Sequence, residues 1–445
     1  MIALMLAVAL LASSGLVVYR SGTGILNPAL IAGLAWLPAL VLTMMPVTFN
    51  LDVYAHLNTP PDTYAFAAIS LGLLGLAIGA YLARKASLPP LFRGFTSPLA
   101  SADWVVGLAY LVGLSVFLYA YWQSGLLQAL CGTPTDIAAS RLQFHIRHLS
   151  TLVLLLDLSA IVLAARMLMT GKTGLVIPAT LPILLYLLTF QKSRVLFLML
   201  CLVFVALIFR KEARAMFLSS ARRAIVLGVV CIALAGAMYA TNLVRGVGVL
   251  DPNSASTICR AAPPEELVTV DPTVIADPLQ ETGITSIDNR FFEQAFIYLG
   301  APAIRNFSAT IDGTLPSEAP SYGRISIRTL LWPFVDRETL NPTRHLGGIN
   351  NGTSLIFYWY DFGPLGIAVL SALAGLLAMI AFRLAQHRSL FGLLAGAIAF
   401  NACVMSVFTD MFFEPLTAIQ LALAALLHCG SYVQCRWLAR SAPAT

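Results

Sequence analysis

Tyr64-Ala-Phe-Ala-Ala-Ile-Ser-Leu-Gly-Leu-Leu-Gly-Leu-Ala-Ile-Gly-Ala-Tyr-Leu82 contains no charged residue. As a helix rising about 1.5 Å per residue, such a run covers roughly the hydrocarbon core of a bilayer. In lipid the backbone has to bond to itself, so the run reads as a helix. Within it, Gly75-Leu-Ala-Ile-Gly79 is a GxxxG pattern, which lets a second helix pack closely. Comparable runs recur throughout the 445 residues. About eleven approach the ~20 residues that a crossing needs: 2–19, 25–45, 64–82, 104–122, 149–169, 175–190, 195–209, 224–242, 363–382, 390–408 and 416–433. The fold class expected is therefore an all-α polytopic membrane protein. Its parts are a transmembrane bundle (1–244), a loop region (245–356) and a second transmembrane bundle (357–445).

Composition agrees. Charged residues make up 11% of the chain and hydrophobic ones 58%, whereas a soluble domain carries about 25% charged residues. The net charge of +6 follows from the excess of Lys and Arg that membrane proteins hold on their cytoplasmic side. With no dense basic run and no nucleic-acid motif, nucleic acid is excluded as a partner. No Lys or Arg precedes the run at 2–19, so it reads as a retained first span and not as a cleaved signal.

The short loops set the orientation. Arg84, Lys85 and Arg93 form one basic cluster, and Arg210, Lys211, Arg214, Arg222 and Arg223 another. These share one side with Arg383, Arg388, Arg436 and Arg440 if the N-terminus lies outside and the C-terminus inside. The long segment 245–356 is then outside. Its first part is rich in Pro, Asp and Glu and reads as coil. A surface helix is expected over 286–300, ended by Gly300 and Pro302, and a second over 322–331. Phe357, Tyr358, Trp359 and Tyr360 suit a bilayer edge. The seven cysteines show no CxxC pair and no metal-ligand spacing. Cys131 and Cys259 both fall outside, which permits a disulfide in an oxidising compartment.

The outward cations are the informative residues. Nearly all are Arg, whose planar fork grips phosphate oxygens in bidentate fashion. In Gln191-Lys192-Ser193-Arg194, two cations sit on a hairpin between apolar runs, on the side that disfavours them. Arg194 and Lys192 are therefore candidate anion ligands. Arg141 and Arg147 precede the fifth run; they read either as facing the same pocket or as resting on headgroups. Arg344 and His345 adjoin Gly347-Gly348, where a backbone can approach a ligand closely. A His of ordinary pKa can take a hydroxyl proton at neutral pH. Asp361 has two readings: a cap for the run at 363–382, with Pro364 in its first turn, or the group that takes the acceptor's proton. Asp157, inside the fifth run, reads as a functional carboxylate or as a bond to a neighbouring helix.

Three segments carry a resemblance: the 191–194 turn with its following apolar run; Phe296-Ile-Tyr-Leu-Gly300 with 301–307; and Asn350-Asn-Gly-Thr353 leading to Tyr360-Asp-Phe-Gly363. On these the chain resembles the bacterial oligosaccharide repeat-unit polymerases, the Wzy-type O-antigen polymerases. The resemblance implies a GT-C-like glycosyltransferase in the bacterial inner membrane, working at its periplasmic face without metal or other cofactor. Its substrate would be an undecaprenyl-pyrophosphate-linked oligosaccharide. A flippase and a chain-length regulator would be its partners. The pyrophosphate would be held by Arg194, with Arg344, Lys192, Arg147, Arg141 and Arg305 as further ligands, and His345 or Asp361 would be the base. An O-antigen ligase has a similar layout, and a lipid-linked glycan or anion transporter is the rival from another class. Transporters usually show internal repeats, and none is visible here.

Overall fold

A computed structural model describes residues 26–44, 57–85, 103–125, 151–189, 191–217, 299–314, 321–328 and 352–441. Among them the chain is helical and has no strand. Two compact units result: Met1–Thr96 with Glu281–Ala422, and Ser97–Gln280 with Leu423–Thr445. This partition follows contacts and not the three consecutive segments expected from the sequence.

In the first unit, α1 (Pro28–Leu42) packs on α2 (Thr63–Lys85). In the second, α3 (Asp103–Gln123) packs on α4 (Leu154–Thr170), and α4 packs on α5 (Val176–Leu188), α6 (Lys192–Ile208) and α7 (Arg210–Phe217). The first unit resumes with α8 (Ala301–Ile311), α9 (Ser354–Gln386) and α10 (Leu390–Met405); α11 (Pro415–Ser441) follows. Among the described residues, five helices are long and apolar enough to cross a membrane. The pair α6 and α7, bent by 101°, would make a sixth. The expected runs at 2–19 and 224–242 lie outside the described residues. Those at 25–45, 175–190 and 390–408 fall on shorter apolar helices. Two of these, α1 and α5, carry an internal proline, Pro38 and Pro182.

Two helices bear aromatic rings at both ends. Trp104 and Trp122 on α3 are 59% and 85% exposed, and Tyr64 and Tyr81 on α2 are about half exposed. Each pair is separated by about 26–27 Å of helix at 1.5 Å per residue, near the ~30 Å hydrocarbon thickness. Amphipathic rings prefer the two interfaces that bound it.

The α2–α9 contact fills the first unit. A Cβ on Gly79 would stand 1.8 Å from the carbonyl oxygen of Ala372, and one on Gly375 would stand 2.2 Å from that of Leu76. Backbone therefore lies on backbone, as the GxxxG pattern at 75–79 predicts. Arg383 continues the contact by donating to the Ala83 carbonyl at 2.5 Å.

The structure differs from the sequence reading in three local places. Gly300 and Pro302 open a helix: Gly300 is the N-cap of α8, with φ 90°, and Pro302 sits in the first turn, where its missing N–H costs nothing. The residues expected to precede them as a helix, 286–298, lie outside the described set. The segment 322–327 is a series of turns and not a helix. Finally, α9 begins at Ser354, before the aromatic cluster, and breaks at Phe362 (φ −146°, ψ 22°) and Gly363 (φ 58°, ψ −140°). Pro364 has no N–H to offer the Tyr360 carbonyl, and Gly363 supplies a backbone conformation closed to L side chains. Phe357, Tyr358 and Tyr360 are consequently buried; of the cluster, Trp359 alone is half exposed, packed edge-on against Tyr64 at 6.2 Å.

Gly79→Val should force α2 away from α9 and lower stability by more than the 1–3 kcal/mol typical of an overpacked side chain, because backbone cannot move aside. Gly107→Ala, in the open on α3, should be neutral. Thermal unfolding of the two variants in detergent checks this.

Candidate functional site

The second unit brings Arg194 onto Asp157. A tight hairpin joins α5 to α6, closed by the Gln191 amide on the Tyr186 carbonyl at 2.9 Å. This turn sets Tyr186 and Arg194 on the same side of the hairpin, against α4. Asp157, fully buried on α4, accepts from the Tyr186 hydroxyl through Oδ1 at 2.7 Å and from Arg194 Nη1 through Oδ2 at 3.0 Å. Tyr186 is itself held edge-on against Phe117 of α3, with ring centroids 5.5 Å apart.

Arg194 keeps an outlet. Its side chain is 19% exposed, and among the described residues only Nη1 carries a bond. Nε and Nη2, the other edge of the fork, are therefore free of described partners. The pair is formally neutral, but it is oriented: the negative end is buried and the guanidinium lies toward the exposed side. An arriving phosphate meets the positive end of a fixed dipole, with a guanidinium already ordered for bidentate contact. Lys192 is the first residue of α6; its side chain is outside the described set. So are Arg141, Arg147, Arg344, His345, Cys131 and Cys259.

Arg305, expected among the pyrophosphate ligands, is used differently. It lies on α8, where that helix packs against α1, α2 and α9, and is 2% exposed. Nε and Nη2 donate to the Thr43 carbonyl at 3.2 and 2.9 Å, and Nη1 donates to the Leu57 carbonyl. Thr43 is the C-cap of α1, so the guanidinium satisfies a helix end whose carbonyls lack intrahelical partners. Burial lowers the Arg305 pKa to about 10, which leaves it cationic at neutral pH. With its fork on backbone oxygens inside the bundle, Arg305 is a strut and is withdrawn from the proposed ligand set.

Asp361 does not cap the run that follows it. Its carboxylate is fully buried and turned toward the segment 321–328. Oδ1 accepts from the Ser321 hydroxyl and from the amides of Gly323 and Ile325, both at 3.1 Å. Oδ2 accepts from the Ser326 amide at 2.6 Å and from the Ser326 hydroxyl. A carboxylate has about four lone-pair sites, so five donors saturate it.

A second ion pair lies in the first unit. Arg328 Nη2 donates to the backbone carbonyl and to Oδ2 of Asp410 at 3.1 and 3.0 Å, and Nη1 donates to the Ile325 carbonyl at 3.2 Å. Its guanidinium carbon stands 4.6 Å from the centre of the Phe357 ring, a cation–π distance. Asp410 Oδ1 accepts from the Tyr358 hydroxyl at 3.2 Å and the Phe412 amide at 3.0 Å. Burial pushes the Asp410 carboxyl above the usual carboxylate range, and Arg328, the amides of Phe412 and Phe413 and the Tyr358 hydroxyl draw it partly back. In the sequence, Arg328 is one of several arginines in the long segment 245–356 and Asp410 lies in a short loop between two apolar runs. Nothing in their spacing of 82 residues announces the pair. Among the described residues no group of three or more His, Cys, Asp or Glu could hold a metal ion.

Arg328→Met alone would leave a buried carboxylate without its cation, a change that costs about 3–5 kcal/mol. The double variant Arg328→Met, Asp410→Leu should cost less than that single change, because no stranded charge remains. Denaturant unfolding of both, with Asp410→Leu as the third corner of the cycle, checks the difference.

Compared with known proteins, the chain matches no family model, no curated protein and no solved structure. What it does has to be argued from its own residues.

Proposed function

We propose that the chain is a multi-pass glycosyltransferase of the bacterial inner membrane. In this reading it crosses the bilayer about eleven times, at the ~20 residues that each crossing needs, with its N-terminus outside and its C-terminus inside. It polymerises undecaprenyl-pyrophosphate-linked oligosaccharide repeat units at the periplasmic face. The observation that carries the reading is Arg194, ordered by the Tyr186-bonded Asp157 at the start of α6, with Nε and Nη2 free of partners among the described residues. An enzyme that expels a pyrophosphate needs fixed positive charge where negative charge develops, and each charge-assisted hydrogen bond to it is worth about 1.5–3 kcal/mol. The resemblance of the 191–194 turn to the repeat-unit polymerases points the same way.

The chemistry is a single displacement with inversion. The acceptor hydroxyl oxygen bonds to the anomeric carbon, and the bond from that carbon to the phosphate oxygen breaks. Undecaprenyl pyrophosphate leaves with the electron pair, held by Arg194. The hydroxyl proton goes to a base. His345 and Asp361 are the candidates for that role, and the five donors on the Asp361 carboxylate favour the His345 imidazole.

Arg194→Ala made together with Asp157→Asn, which leaves no buried charge stranded, should abolish long glycan chains in a folded membrane protein, and Arg194→Lys should lose them too, since a point charge does not replace the fork. Gel ladders of the cell's polysaccharide read the outcome. An unaltered ladder rejects the assignment. Chains of normal length that stay on the lipid carrier would point to a ligase instead.

A further inference from the structure

The break in α9 and the turn beside it fit each other too closely to be separate features. Pro364 leaves the Tyr360 carbonyl without its helical donor, and the Ser321 amide replaces it at 2.8 Å. One residue on, the Asp361 carboxylate receives three backbone amides and two hydroxyls from residues 321–326. The Phe362 ring closes over Gly323, where a Cβ would stand 3.2 Å from it. On the other flank of the turn, Arg328 is fastened to Asp410 and stacked on Phe357. Residues 354–361 are thus gripped at Phe357, Tyr358, Tyr360 and Asp361 by elements distant in sequence.

The donors around Asp361 carry no formal charge. Successive backbone N–H groups converging on one point form a concave anion site of the kind that binds phosphates and carboxylates elsewhere. We propose that residues 321–326 are such a carboxylate receptor, that Asp361 is its resident ligand, and that this clasp locks the break in α9 to the outer segment. Asp361 is then a positioning residue: it holds the turn, and through the turn it fixes where Arg328 and the exposed Arg324 stand. The break itself is a point of weakness, since Phe362 and Gly363 leave the helical conformation. The seated carboxylate and the Ser321 amide on the Tyr360 carbonyl tie the N-terminal side of the break to one loop and keep the bend at one angle. The inference is independent of the reaction proposed above.

A receptor with a resident ligand can be emptied and refilled. Removing the carboxylate leaves a site for a small monocarboxylate, and formate has its shape and charge. The experiment is hydrogen exchange on the full chain in nanodiscs, followed over the peptides that cover 321–328. In the native protein the amides of Gly323, Ile325 and Ser326 should exchange slowly. Asp361→Ala should speed them by about tenfold or more, the loss expected when buried amides lose a charged acceptor. Formate should restore the protection in a concentration-dependent way, while chloride at equal ionic strength should not. Unchanged exchange in Asp361→Ala overturns the clasp, and so does formate acting no better than chloride. Were that variant not to fold, Ser321→Ala with Ser326→Ala removes two of the five donors and leaves the carboxylate; faster exchange at Gly323 and Ile325 supports the clasp, and unchanged exchange overturns it. A residue serving only as a proton acceptor would leave exchange in the substrate-free protein untouched, so this readout separates positioning from chemistry.

Discussion

A charged group inside an apolar bundle has to bring its partners with it, because an unpaired ion there costs several kcal/mol. Four of the buried charged groups among the described residues show four different solutions. Asp157 takes an arginine and a tyrosine. Asp410 takes an arginine, a tyrosine and two amides. Asp361 takes no cation at all and is held by amides and hydroxyls. Arg305 takes carbonyl oxygens. Apolar surface explains why helices form here, but these polar contacts decide which helix meets which and in what register.

The same contacts divide the arginines by use. Arg305 and Arg328 bond inward, to backbone oxygens and, for Arg328, to a carboxylate. Arg194 is the one whose fork is half committed and half open among the described residues. A guanidinium that is loose would lose conformational entropy on gripping an anion; one already pinned by a neighbour loses less. Its Asp157 partner is thus a counter-charge and an aiming device together.

Much of the architecture could be read in advance. Length and apolarity located helices, and 75–79 foretold the α2–α9 contact, because both are properties of consecutive residues. The break in α9 was harder. Asp361, Gly363 and Pro364 read as the start of a helix, whereas they interrupt one that begins at Ser354, and the same residue types suit both. In the sequence Arg194 and Asp157 stand out separately and Tyr186 does not stand out at all: a tyrosine in an apolar run looks like packing until the carboxylate it serves is known. Arg305 misled because a cation in a loop segment reads as exposed, and only the packing of α8 on α1, α2 and α9 shows it to be internal. Pairings across 37 or 82 residues depend on three-dimensional closure, which no local pattern encodes.

The length of α1 has a further consequence. It runs for 15 residues, about 23 Å at 1.5 Å per residue, yet Leu34, Leu37 and Val41 face outward from it. Were α1 to span the bilayer as the sequence reading has it, hydrocarbon beside that face would be thicker than the helix, and the leaflets would have to pinch inward locally or the neighbouring acyl chains shorten. Each ångström of misfit costs only a fraction of a kcal/mol, but the strain is confined to one flank of the protein. Lipids with short or kinked tails would gather there, giving the molecule a preferred annulus on one side.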